Sequence, residues 1–166
     1  MPKKYRKMLT DWQAPYILPI LKLIETQSQT TIHRWCVDYA IAHLLPIFEK
    51  ECPADPRPRL ALLAITDVKP LVKDCTAAAK DAIDNPIAHT TAKAIGQCVA
   101  TAYNPTASAG LIFYGALAIA YAKAGSDAPW EALEAIAAQE CDHIMAALQS
   151  IAIADEPNPA KIKWEC

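Results

Sequence analysis

The sequence predicts an all-α protein, a single compact bundle of about six helices with a short irregular C-terminal tail. Three observations carry that reading. Alanine is strongly over-represented while glycine occurs only 4 times in 166 residues, and alanine is the best helix former and glycine among the worst. Apolar residues recur at three- and four-residue intervals, which places them on one helical face. Proline, asparagine, aspartate and serine mostly punctuate these stretches instead of interrupting them.

The first segment runs from near Pro15 to Thr26, with Asp11 in the turn before it. The next, Thr31 to Glu51, carries Ile32, Trp35, Cys36, Tyr39, Ala40, His43 and Ile47 on one face and Val37, Ile41, Leu44, Leu45 and Phe48 on the other. A helix apolar nearly all round is central, and Pro46 inside it removes a backbone donor and should kink it or end it early. Asp55-Pro56 opens a third helix as N-cap and first helical residue, stopping near Asp67. A fourth runs from Leu71 to Asp84. Asn85-Pro86 repeats the cap device for a helix to about Tyr103, and Asn104-Pro105-Thr106 repeats it again for an apolar helix ending at Gly125, a natural residue just past a helix end. The last helix follows Ser126-Asp127-Ala128-Pro129, with Trp130, Leu133, Ala137, Ile144, Leu148 and Ile151 as its apolar stripe. Pro157 and Pro159 leave residues 155–166 as a tail that Trp164 pins to the body.

Residues 1–166 therefore read as one helical domain, preceded by a basic, flexible start over 1–10. Apolar residues at 53% and charged residues at 20% exclude a disordered body. The net charge of −2 argues against a nucleic-acid coat or a polybasic membrane surface. The longest apolar stretch, Ala107 to Ala122, is about 16 residues against the roughly 20 a membrane span needs, so it reads as a buried helix. No secretory segment follows the basic start. Six cysteines without a secretory context read as reduced thiols, and the location expected is cytoplasmic.

Few residues suggest chemistry. His33 and Cys36 lie one helical turn apart, but a metal site wants three or four ligands, and Cys141 and His143, two apart, point to different sides of a helix. No metal and no cofactor is expected. The chain has no Gly-x-Ser-x-Gly elbow, phosphate loop or His-Glu-x-x-His helix. A Cys98–His89 pair would need an accessible thiol, which burial in an alanine-rich helix denies. Glu140 and Asp142 read as a solvated face.

The most unusual segment is Pro53-Ala54-Asp55-Pro56-Arg57-Pro58-Arg59. It places two arginines in the first turn of a helix, where the dipole prefers anions. Such a penalty calls for an offsetting partner. Glu49, Glu51 or Asp55 would lock two helices together, whereas an acidic group on another protein would make Asp55, Arg57 and Arg59 a partner-binding site. The Lys3, Lys4, Arg6 and Lys7 cluster reads as a solvated terminus.

Trp35-Cys36-x-x-Tyr39-Ala40, Leu44-Leu45-Pro46-Ile47-Phe48-Glu49 and Pro53-x-Asp55-x-Arg57-Pro58-Arg59-x-Ala61-Leu62, followed by Ala94-x-Gly96, Ala100-Thr101-Ala102 and the run from Ala109 through Tyr114 to Ala122, resemble the immunity-protein family of bacterial polymorphic toxin systems. The resemblance covers about two-thirds of the chain, from near Ile32 to near Ala124. It implies a small helical cytoplasmic protein that binds a cognate toxin and blocks it without catalysis. Histidines that the family often carries at the position of Gln97 and near Tyr103 and Ser108 are missing here, so no histidine-based role is transferred. A charge of −2 gives no sign of the acidic surface that suits a basic nuclease. Two other readings remain: a homo-oligomeric module using the apolar helix as its contact, and an enzyme using a Cys or His site.

Overall fold

The computed structural model describes residues 4–164, and among them the secondary structure is helical, with no strand. Eight α-helices run in chain order: α1 (Leu18–Ile24), α2 (Gln29–Tyr39), α3 (Leu45–Glu51), α4 (Arg57–Leu63), α5 (Lys69–Asp81), α6 (Pro86–Ala100), α7 (Leu117–Ala124) and α8 (Trp130–Ile151). The two long segments read from the sequence are each composite. A π segment, Ala40–Leu44, joins α2 to α3, while a 3₁₀ turn, Pro105–Ser108, and a second π segment, Leu111–Ala116, precede α7.

Pro46 does not end the helix early. The backbone widens ahead of it, and the Leu45 N–H reaches back five residues to the Ala40 carbonyl. This wider turn accommodates a ring that would otherwise press on the carbonyl four residues earlier. It also holds one extra residue, so the buried face slips by one position. The regular spacing places His43 and Ile47 inside, but the structure buries Leu44 and Phe48 and leaves His43 exposed.

The caps are largely where the sequence places them. Asn85 Oδ1 accepts the Ala88 N–H at 3.1 Å, and Asn104 Oδ1 accepts that of Thr106 at 3.2 Å. Ser28, which the sequence reading passes over, caps α2 by accepting the Thr31 N–H. Asp55 stands just ahead of α4 and accepts the Arg57 N–H at 3.1 Å. That helix stops at Leu63, well before Asp67. Gly125 ends α7 with φ +86°, a conformation that disfavours any side chain.

At the centre lies α6, packed against α2, α3, α4, α5 and α7. Most of its residues are buried, and they are small: Ala88, Thr91, Ala92, Ala94, Gly96, Cys98. Small side chains let neighbouring helices approach closely, and a Cβ on Gly110 would overlap the Gln97 side chain. Trp35, Phe48, Phe113 and Tyr121 fill the space around it. The segment Pro105–Ala124 is long and apolar enough to cross a membrane, yet 72% of its most apolar window is buried inside the fold. The face that a homo-oligomer of this helix would need is therefore already covered by the protein's own core.

Both ends pack onto this core. The start does not hang free as the sequence reading has it: over the residues described, Leu9 donates its N–H to Phe113 O at 2.8 Å, the Tyr5 hydroxyl bonds Ile83 O, and the Arg6 guanidinium lies 3.9 Å above the Trp130 ring. Lys3 lies outside the described residues. In the tail, Trp164 Nε1 donates to Glu25 Oε1 at 2.7 Å. The buried Gln27 amide exchanges hydrogen bonds with both backbone groups of Ile153.

Candidate functional site

The arginine segment forms a corner where α3, α4 and α5 meet. Arg57 holds Asp55 through two nitrogens, Nε to Oδ1 at 2.9 Å and Nη2 to Oδ2 at 2.7 Å, and the same Nη2 reaches Asp81 Oδ2 at 2.9 Å. Arg59 grips Glu49 in the same forked manner, with Nε to Oε2 at 2.7 Å. Planar guanidinium and carboxylate groups match two bonds at a time, which fixes orientation as well as distance. These hydrogen bonds hold the Asp55 and Glu49 carboxyls below their ordinary pKa values and raise that of Arg57.

Of the three residues of the predicted partner site, Asp55 and Arg57 are brought together, while Arg59 turns to Glu49 of α3. Glu49 and Asp55 are partners the sequence offered. Asp81 is not, because 24 residues separate it from Arg57. A groove of about 530 Å³ lies under the corner, lined by Pro53, Asp55, Arg57, Ala78, Asp81 and Ala82.

The solvent-facing side of α4, between the two arginines, is apolar. Pro58, Ala61 and Leu62 are buried against the core, whereas Leu60 and Leu63 are 57% and 56% exposed, and Ile65, just past the helix, is 97% exposed. Tyr103 is 43% exposed, and the Lys69 ammonium lies 5.3 Å from its ring centre.

A second polar cluster was misread in the sequence. Glu140 is not on a solvated face; it is 4% exposed. Its Oε1 accepts from Lys123 Nζ of α7 at 2.8 Å and lies 3.4 Å from His143 Nδ1, while Oε2 accepts the Tyr39 hydroxyl of α2 at 3.2 Å. Burial pushes the Glu140 pKa up, but the Lys123 bond and charge, helped by Tyr39 and His143, outweigh it and leave the carboxyl below its usual value. Burial and the adjoining carboxylate push the Tyr39 phenol up. The signal was present: Glu140 falls within the apolar stripe between Ala137 and Ile144, where an acid needs a partner. Asp142, two residues on, is exposed.

The other candidates separate. His33 Nδ1 lies 2.8 Å from Thr101 Oγ1, whereas Cys36 is fully buried. His89 Nδ1 donates to Ala79 O at 2.6 Å, near the far end of α6 from Cys98. Burial drives the Cys36 thiol well up and those of Cys75 and Cys141 to about 12, away from the thiolate that nucleophilic chemistry needs. Among the described residues no three His, Cys, Asp or Glu side chains converge as a metal site would require.

Fold and site together define an all-helical scaffold in which the ion pairs of Arg57, Arg59 and Lys123 tie helices to one another or to their flanking turns. The chain belongs to the family described as Imm-5 like putative immunity protein, whose model it matches over residues 22–147, more than half its length. No curated protein and no solved structure matches it.

Proposed function

We propose that this protein is a non-catalytic immunity protein, acting in the bacterial cytoplasm by binding a cognate toxin and neutralising it. The observation that carries this reading is the family match, which runs from the last turn of the first helix to most of the last. The architecture is compatible with it. Stoichiometric inhibition asks for a stiff scaffold that presents a prearranged surface, because ordering an interface only on binding costs affinity.

The test is co-expression with the product of an adjacent gene that is toxic on its own. The expected result is restored growth together with a complex of fixed stoichiometry on size-exclusion chromatography with light scattering. Toxicity undiminished by equimolar protein, with no complex, would overturn the reading.

A further inference from the structure

We infer that the N-terminal strap, residues 4–9, is a cover governed by His89: it closes over α6 and α7 while the imidazole is neutral and lifts when the imidazole takes up a proton. This device belongs to the fold itself and holds with or without the immunity reading.

The strap is lightly held. It forms no helix, Lys4, Arg6 and Lys7 are exposed, and of its residues only Leu9 is buried. Among the described residues its hydrogen bonds to the core run from the Tyr5 hydroxyl to Ile83 O at 2.8 Å, from the Tyr121 hydroxyl to Arg6 O, and from the Leu9 N–H to Phe113 O at 2.8 Å. A cleft of about 200 Å³ remains beside it, between Tyr5, Arg6, Tyr121 and Trp130. Segments with few buried apolar groups and exposed hydrogen bonds open at low cost, independently of the rest of a fold.

His89 lies beneath the strap, 4% exposed, in the first turn of α6. Tyr5 packs edge-on against it, with ring centres 6.1 Å apart. Its Nδ1–H is committed to Ala79 O of α5 at 2.6 Å, so an added proton goes to Nε2. The surroundings oppose that proton. The ring is shut away from water, and the start of a helix disfavours a cation. The charges that act on the imidazole are also cations, Lys7 on the strap and Lys93 one turn further along α6. Asp84, in the turn before α6, acts on Tyr5, and Tyr121 of α7 meets the Tyr5 ring at 6.4 Å. At 6.1 Å the Tyr5 ring stands at the limit of cation–π attraction and returns little.

Two of these penalties, the helix start and Lys93, act whether the strap is on or off. The other two, water shut out by Tyr5 and the charge of Lys7, leave with the strap. A proton therefore binds the open form more tightly than the closed one, and acid shifts the population towards open. Burial holds the His89 pKa below 6.5, which has the same direction. Protonation of one such group can change the balance by at most about tenfold between about pH 7.5 and pH 5.5.

The experiment follows the Leu9 amide by hydrogen exchange, as a protection factor corrected for the intrinsic rate, in wild type, H89Q and H33Q at about pH 7.5 and pH 5.5. Leu9 should be less protected than the α6 amides and less sensitive to denaturant. Its protection should fall several-fold in acid; H89Q should abolish that fall and H33Q should leave it. No fall in the wild type, a fall that H89Q leaves in place or H33Q removes, or protection at Leu9 equal to that of α6, would overturn the inference. A second measurement does not depend on H89Q folding. Y5A strips the cover from His89, and NMR titration of the ring should then show its pKa raised towards 6.5. The same titration in wild type and Y5A would overturn the inference as well.

Discussion

Two ionic clusters in this protein use the same chemistry in opposite settings. At the α4 corner, Arg57 and Arg59 meet carboxylates at the surface. Where α2, α7 and α8 cross, Glu140 is sealed from solvent and leans on Lys123 and Tyr39. Water screens the first set, so each pair adds little to stability and its main effect is orientation. In the second set Glu140 cannot fall back on water, and removing Lys123 strands its charge. Ion pairs therefore aim a helix in one place and hold the core together in the other.

The largest effect should come from breaking the enclosed cluster. K123M leaves the Glu140 carboxylate without its cation and is expected to destabilise the fold by about 2 kcal/mol in denaturant unfolding. That is less than the 3–5 kcal/mol for wholly buried pairs, because Lys123 is half in water. A loss under about 0.5 kcal/mol, the scale of a surface pair, would erase the contrast.

Reversing the corner with R57E/R59E places like charges against Asp55, Asp81 and Glu49. The expected outcome is a modest loss of stability with helix content retained and toxin protection weakened, because α4 loses its clamps. Collapse of the circular dichroism signal would show instead that the corner holds the whole fold.

Acid sharpens the comparison further. The Glu140 carboxyl titrates lower in the folded protein than its ordinary 4.5, so its stabilisation is present above that pH and disappears as pH falls through the folded value. E140Q should flatten the loss of stability below about pH 4.5, and the same slope in wild type and variant would contradict the assignment. His89 and His33 are also lowered, chiefly by burial, from 6.5. The unfolded chain then binds the extra protons, so stability should begin to drop below about pH 6.5, and H89Q should reduce that first step while H33Q/H89Q removes it. The smallest effect is the coupling of Arg59 with Glu49: a double-mutant cycle should return a smaller coupling than the same cycle at Lys123 and Glu140.

What the sequence made legible follows how far apart the interacting residues lie. Helix starts at Asn85 and Asn104 and the stop at Gly125 are written in two or three adjacent residues, and the structure has them there. The all-helical fold and the burial of the apolar segment followed from composition and spacing. The slip of the buried face from His43 to Leu44 was not legible, because the regular repeat assumes 3.6 residues per turn and Pro46 forces a wider turn. Glu140 was read beside Asp142, its neighbour in sequence, although residues two apart diverge around a helix. Its real partners, Tyr39 and Lys123, come from other helices. Asp81 was missed for the same reason, and the docked start because Leu9 and Tyr5 find their acceptors on distant segments.

The encasement of α6 by five helices has a consequence for amide hydrogen exchange. Its N–H groups can meet solvent only when the surrounding helices part, so they should exchange at the rate set by whole-molecule unfolding. Amides of the short, outlying α4 should exchange through smaller local openings. A partner seated on α4 would slow its amides selectively, while any accompanying slowing along α6 would measure how much the bound state stabilises the entire protein.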